Sequence, residues 1–362
     1  MVNFTSEKPS LNVGFMPLTD SAPLVVAKEY GFFERYGLDV TLEKQNSWAT
    51  MRDKVCTGLL DGAQMLAPMP IASSLGLDGQ RIPMITPFVL SRNGNAITLS
   101  HKWYAHLGEH RLNDGQPVSA KAIVPIVNKK AEQGEKLRLA TVFPYSCHYY
   151  QLLDWLSAGG IDLNQIELII IPPGNMIAAL KAGDIDGFCV GGPWNAFAVR
   201  AQLGFTAATS SDIWNDFPEK VLGVLASWQM QNPQTCKALV HALNDACHWL
   251  ESIPNRFEAA QLLSGSQYLN MDLNIIAPSL LGSCLTYKDL PPRQIKTYNQ
   301  FADSESVNFN CPSLEDGSWL LEVMQKSGHL ANPTHAMSQL PHIYRQDLFH
   351  EYFSVSQDLA PR

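Results

Sequence analysis

No apolar run in this 362-residue chain approaches the roughly 18 residues of a membrane-crossing helix. The longest apolar patches, such as LIIIPP at 168–173, are only strand-length, so no membrane span is expected. Positive charge is scarce: 26 Lys and Arg stand against 34 Asp and Glu, a formal net charge of -8. Without a basic run, nucleic acid is not expected as a direct ligand. There is no HxH, HExxH or clustered Asp/His motif, so no metal site is expected. No P-loop is present and no GxGxxG follows a strand, so the chain is expected to need no cofactor. The seven cysteines (Cys56, Cys147, Cys189, Cys236, Cys247, Cys284 and Cys311) form no CxxC pair. They are odd in number and mostly in apolar surroundings, which reads as free thiols in a reducing compartment. The start, MVNFTSEKPSLNVGF, has no charged segment followed by an apolar one, and no lipobox cysteine. The expectation is a cytoplasmic protein; the alternative is a periplasmic one whose export signal has been removed.

What is present is ordinary globular composition, 46% hydrophobic and 17% charged, at a length that suggests two lobes. LNVGFMPL reads as a strand ending in a Pro loop, and SAPLVVAKEYGFFERYGL as a helix stopped by Gly31 and Gly37. DVTLEKQ alternates like a strand. NSWATMRDKVCTGLL is a second helix, with Ser47 as N-cap. The pattern then recurs: KLRLATVFP is a strand, SCHYYQLLDWLSAGG a helix, QIELIIIPP a strand, NMIAALKAG a helix and DIDGFCVGGPW a strand and loop. TGLLDGAQML (57–66) and KAGDIDGFCV (181–190) are both a helix end, an Asp-Gly turn and a buried strand. Strands alternating with helices argue for α/β lobes with mainly parallel sheets. Residues 99–136 are polar and helical in tendency, with no strong core pattern. The chain is mostly helical after about residue 226, and the tail after about 330 is expected to wrap a lobe surface.

GFMPLTDSAPLVVAKEYGFFERYGLDV, SWATMRDKV, DGAQMLAPMP, SRNGNAITLS, FCVGGPWNA, FPEKVLGVLASW, NRFEAAQLLS and EDGSWLLEVMQKSG together resemble the nitrate/bicarbonate branch of the ABC-transporter solute-binding proteins. The similarity runs from about residue 11 to at least 328. It implies a two-lobed, periplasmic-binding-protein-like (type II) α/β fold with the ligand cleft between lobes. The expected division is 1–98 plus about 226–362 for lobe 1 and 99–225 for lobe 2. Within the branch, the missing export signal resembles the NasS-type cytoplasmic nitrate/nitrite sensor. That resemblance implies nitrate or nitrite as ligand and an ANTAR-type antiterminator as partner, sequestered when ligand is absent. The alternative is the binding component of an ABC importer, with a permease as partner.

A buried small oxyanion needs N–H donors at helix starts, a compensating positive charge and a wall that excludes water. His148 falls in the first turn of the helix after TVFP, where the backbone N–H groups of Ser146, Cys147 and His148 are free donors. By resemblance His148 matches a nitrate-contacting histidine, with YSC in place of the family's small residues; the bland reading is a half-exposed helix-start histidine. Trp48, beside Ser47, has the place of a flat wall against which a planar anion lies, or packs as ordinary core. Asn95 stands where the family commonly carries Gln and donates through its NH₂; otherwise it is a turn residue. Lys220 matches the lysine that accompanies nitrate in the family, where an acidic residue accompanies bicarbonate with a metal; the bland reading is a surface charge pair with Glu219. Cys189 and the GGPW loop (191–194) are expected to line the second lobe's side of the cleft, with Trp194 equally readable as structural.

FPYSCHYY also raises the question of a Cys-His nucleophile. Neighbours on a helix point about 100° apart, so Cys147 and His148 would not face each other. No acidic partner to orient the base follows nearby. The stretch reads as an anion-holding helix start, and the protein as a binder and not an enzyme.

Overall fold

The computed structural model describes residues 5–110, 116–306 and 308–354. In strand β1 (Ser10–Phe15), Leu11 and Val13 are buried while Ser10 and Asn12 are exposed, the period-two pattern of a strand with one covered face. It pairs in parallel with β2 (Asp39–Lys44) and β3 (Gly62–Leu66). The chain then runs up β4 (Met84–Asn93) and enters a second sheet as β5 (Asn95–Ser100). That sheet is completed by β6 (Leu137–Thr141), β7 (Ile166–Ile170), β8 (Gly187–Gly191) and β9 (Gly204–Thr209). The return strand β10 (Pro218–Leu225) inserts antiparallel between β3 and β4. A two-stranded ribbon, β11 (Ser283–Cys284) with β12 (Arg293–Gln294), and the edge strand β13 (Asn299–Gln300) follow. The two main sheets are ordered β13-β4-β10-β3-β1-β2 and β7-β6-β8-β5-β9, so the expected two-lobed α/β architecture is present.

The chain changes sheets at two places. Between β4 and β5, Asn93 (φ 59°) and Gly94 (φ 99°) turn through left-handed backbone, which asparagine and glycine adopt at least cost. Between β9 and β10 the passage runs through a short helix, Ser210–Ile213, closed by a Thr209–Asp212 capping box. The sheet changes therefore fall near residue 94 and within 210–217. The boundaries expected at 98 and 225 lie inside β5 and at the end of β10, because both strands continue the apolar pattern of their neighbours across the crossing.

Each sheet has its own apolar core. Lobe 1 packs the helices Ala22–Glu29, Pro233–Trp249 and Ile253–Leu263 over β1, β2 and β4. Lobe 2 gathers Leu139, Leu152, Trp155, Leu156 and Phe205. Contrary to expectation, residues 99–136 contribute Trp103, Leu107, Val118, Ile123, Ile126 and Val127 to this second core. Val118 apart, these residues sit on short pieces, the 3-10 turns of His101–His110 (interrupted at Gly108) and Ala120–Ile123 and the helix Val124–Glu132, each too short to show a long apolar stripe. The tail past 330 does more than wrap a surface. Tyr344 is fully buried and donates its hydroxyl to the Ala67 carbonyl at 2.8 Å, while Leu348, Phe349 and Tyr352 enter the first core.

A third apolar cluster joins the lobes, with Met16, Leu18, Trp48 and Met65 from one side and Phe143, Cys147, Tyr150 and Val190 from the other. Beside it the Thr19 N–H donates to the Gly192 carbonyl at 2.9 Å, and the Gly192 N–H donates to Gly94 at 3.1 Å. A Cβ at Gly192 would lie 2.6 Å from Thr19 Oγ1 and 2.8 Å from Ser279 Oγ. Gly192→Ala is therefore expected to disfavour the closed arrangement by about 1–3 kcal/mol, the usual cost of overpacking. Small-angle scattering would show this as a larger radius of gyration, and an unchanged curve would mean that the lobes do not separate at this point.

Candidate functional site

In an open α/β sheet, helices begin where parallel strands end, and ligands sit at those carboxyl ends. Here the ends of both sheets face one another. Asp20 follows β1. Trp48 opens the helix Trp48–Cys56 after β2, with Ser47 as the expected N-cap accepting from the Thr50 N–H. His148 lies in the first turn of the helix Cys147–Ala158 after β6, whose N-cap Ser146 accepts from the Tyr149 N–H. Gly191 ends β8. Asn95 begins β5, directly past the first crossing, and Glu219 and Lys220 lie near the start of β10, directly past the second.

The centre of the site is Lys220. It is fully buried, with Nζ 2.8 Å from Glu219 Oε1 and 2.9 Å from Asp20 Oδ2. The glutamate contact is an aligned hydrogen bond; the aspartate contact is an ion pair whose Oδ2 lacks one. The reading of Lys220 and Glu219 as a surface charge pair is thus corrected: both are about fully buried, because β10 is an interior strand covered on both faces. Burial alone would lower the ammonium's pKa, but the two carboxylates outweigh it and push it above the ordinary lysine range. Glu219 moves the opposite way from most paired carboxyls. Burial raises its pKa, and Lys220 only partly offsets this.

Around this pair lie groups with unused hydrogen-bonding capacity. His148 is fully buried rather than half-exposed, since β10 and the lobe-1 loops close over the helix start. Neither of its ring nitrogens has a hydrogen-bond partner among the described residues; Nδ1 is 3.6 Å from Glu219 Oε1, too far for a bond. Burial and the nearby ammonium hold its pKa well below the usual value, so the ring is neutral. Trp48 is 1% exposed, its ring centroid 5.7 Å from Lys220 Nζ, and its Nε1–H has no partner among the described residues. Buried polar groups are nearly always satisfied, so this cluster of free N–H groups around a cation points to a missing acceptor. On the opposite wall, a Cβ at Gly191 would come within 3.1 Å of Asp20 Oδ2, so a side chain there would press on the site.

Asn95 departs from expectation. Its Nδ2 donates to Gln151 Oε1 at 2.9 Å and to Glu219 Oε2 at 2.7 Å, so both amide hydrogens are used inside the protein. Rotating the amide would turn its oxygen towards the Glu219 carboxylate, which fixes the assignment. Asn95 therefore orients Glu219 and leaves only its Oδ1 free. Sequence reasoning missed Asp20, Gln64 and Gln151, and weighed Glu219 only as a partner of Lys220. Gln64 donates to Asp20 Oδ1 at 2.6 Å and accepts from the Met16 N–H at 3.0 Å, tying β3 to the loop after β1. The one local signal was a buried-strand glutamine in DGAQML. Trp194 is 5% exposed with Nε1 unpartnered among the described residues, and packs in the inter-lobe cluster.

Cys147 and Cys189 are buried, and burial with the nearby Glu219 pushes both thiols well above their ordinary range. A cysteine nucleophile needs the reverse shift. The Cys147 thiol instead points to the Pro218 carbonyl at 3.5 Å, not to His148. Among the described residues no group of three His, Cys, Asp or Glu is placed to hold a metal ion, and no helix is long and apolar enough to cross a membrane.

Comparison with known proteins places the fold and the family. The NMT1-like family model matches residues 5–264. The chain is 41% identical over 349 residues to the nitrate import ATP-binding protein NrtC of Synechocystis sp. strain PCC 6803, covering 95% of this chain and 50% of that protein. The chain thus spans about half the length of the ATP-binding relatives it matches. It is 33% identical over 354 residues to the nitrate/nitrite binding protein NrtA of Synechococcus elongatus, covering 95% of this chain and 77% of that one. The crystal structure of the periplasmic nitrate-binding protein NrtA from Synechocystis PCC 6803 superposes with a TM-score of 0.88 at 29% identity, covering 98% of this chain and 92% of that one. With the two-lobed periplasmic-binding-protein-like fold and this inter-lobe site, the chain belongs to the NMT1-like family, among the NrtA-like solute-binding proteins.

Proposed function

We propose that this chain binds nitrate or nitrite in the closed inter-lobe cleft and serves as the recognition component of an ABC-type import system. The observation that carries the reading is the set of buried, unused N–H donors on Trp48 and His148 gathered around the Lys220 ammonium. A small planar anion is an acceptor on every edge and answers all of them at once. The helix that starts at Cys147, with Ser146 as N-cap, adds the positive end of its dipole to the same side. Gly191 forms the opposite wall, Cys189 packs behind it in the core of lobe 2, and Asn95 acts through Glu219. The function is binding and release, not catalysis. NrtA relatives are named as nitrate/nitrite-binding and NrtC as a nitrate import ATP-binding protein, which supports a permease and an ATPase as partners and a periplasmic place of work.

The test is isothermal calorimetry with nitrate, nitrite and sulfate. His148→Ala is expected to weaken nitrate binding by about 1–3 kcal/mol, since it deletes one donor and leaves the backbone donors in place. Wild-type affinity in that variant would remove the imidazole from the site.

A second reading, a cytoplasmic sensor that holds an ANTAR-type antiterminator when empty, is favoured by one observation: all seven cysteines are free thiols. If ligand and partner prefer different lobe arrangements, each must weaken the other by the same factor. Nitrate titration with and without the antiterminator separates the readings, equal affinities leaving the importer role.

A further inference from the structure

We propose that the anion enters this site together with a proton, which is held on the Glu219 carboxyl between Lys220, Asn95 and His148. This deepens the oxyanion reading above and rests on it.

Charge balance calls for the proton. Lys220 lies between two carboxyls, 2.8 Å from Glu219 and 2.9 Å from Asp20. With both ionised, the buried group already carries one net negative charge. Adding a monoanion would bring the total to two negative charges in a site closed to water, where charges are poorly screened. A proton taken up with the anion restores the starting charge. A metal cation would do the same, but its natural place between the two carboxylates is filled by the lysine ammonium.

Hydrogen bonding favours Glu219 over Asp20 as the place for the proton. His148 is neutral, so one ring nitrogen donates and the other accepts. Nδ1 is the nitrogen beside Glu219 Oε1, at 3.6 Å. Facing an ionised glutamate, it would carry the hydrogen, and Nε2 would be a bare lone pair, useless to an anion. With the proton on Glu219, the carboxyl O–H has Nδ1 as an acceptor once the gap tightens, and the hydrogen moves to Nε2, where it can serve the anion. Asp20 has no such neighbour: its oxygens face Gln64 Nε2, at 2.6 Å, and Lys220. No covalent bond forms or breaks beyond the proton transfers: one proton from solvent goes to Glu219, and the imidazole exchanges tautomer.

The groups facing Glu219 from each surrounding element are Asp20 after β1, Lys220 on its own strand, Asn95 on β5, Cys147 and His148 on their helix, and Cys189 on β8. Asn95 does not titrate. The two thiols and Lys220 are shifted up, and His148 down, away from neutrality. Glu219 is shifted up, towards it.

The test is calorimetry of the full chain with nitrate, which does not itself titrate, in PIPES and in Tris at equal chloride, so that no small oxyanion other than nitrate is present. The expected result is a different apparent enthalpy in the two buffers, reporting uptake of up to about one proton per nitrate, with affinity falling by up to about tenfold per pH unit above the Glu219 pKa of the free protein. Glu219→Gln is expected to lose both the buffer dependence and the pH slope. Equal enthalpies in both buffers with a flat pH profile would overturn the proposal, while the oxyanion reading would stand on Trp48, Lys220 and the helix start. Proton uptake that persists in Glu219→Gln would overturn it by placing the proton elsewhere. No nitrate binding at any pH would remove the oxyanion reading, and this inference with it.

Discussion

Lys220→Met is expected to abolish nitrate binding and to destabilise the fold by about 3–5 kcal/mol, the cost of leaving buried charges without their partner. Methionine fills a similar volume, so little of the effect comes from packing. What remains is Asp20 and Glu219, each losing an ammonium at under 3 Å, in a site from which water is excluded. The sign of the pH effect follows from Glu219. Its folded pKa already stands above the ordinary carboxylate value and would rise further without Lys220. A raised carboxyl pKa means that the folded state holds the proton longer than the unfolded chain. Stability is then greatest below the unfolded pKa and declines as pH rises through the folded one. The variant should therefore be most damaged at high pH and partly recovered in acid. Urea titrations at several pH values measure this. A midpoint like that of the wild type at every pH would mean that the lysine is not what holds the two carboxyls together.

Trp48→Ala is expected to cost about 3–5 kcal/mol as well, but for a different reason. The indole is 1% exposed and packs in the cluster that joins the lobes, so its removal leaves a cavity at their interface. That result alone would not distinguish wall from core, and Trp48→Phe does. Phenylalanine keeps most of the ring volume and loses the Nε1–H, which has no partner among the described residues. If the donor faces the anion, Trp48→Phe should keep most of the stability and weaken nitrate binding by about 1–3 kcal/mol. Unaltered affinity in Trp48→Phe would return the residue to ordinary packing and leave His148 and the backbone as the donors.

The sequence by itself determined the parts of this protein that depend on near neighbours. Alternation in DVTLEKQ and the Asp-Gly turns marked strands and helix ends; Ser47 marked a helix start, and its side chain accepts from the third residue onward, as that of Ser146 also does. From those helix starts and the lone lysine of FPEKVL, together with the family resemblance, most of the candidate residues were already legible. Tertiary structure decided how they are charged and what they face. Glu219 and Lys220 are adjacent in sequence, and whether they form a solvated pair or a buried one depends on β10 being inserted between β3 and β4, strands that lie far away along the chain. Asp20 and Gln64 join the site only because β1 and β3 pair side by side and both end at the cleft. Asn95 has two hydrogens to give, and only the approach of Gln151 and Glu219 from other elements consumes them. Local pattern reports which backbone a residue prefers. Burial, ionisation and hydrogen-bond partners are set by contacts between distant segments, and these exist only once both sheets have closed on one another.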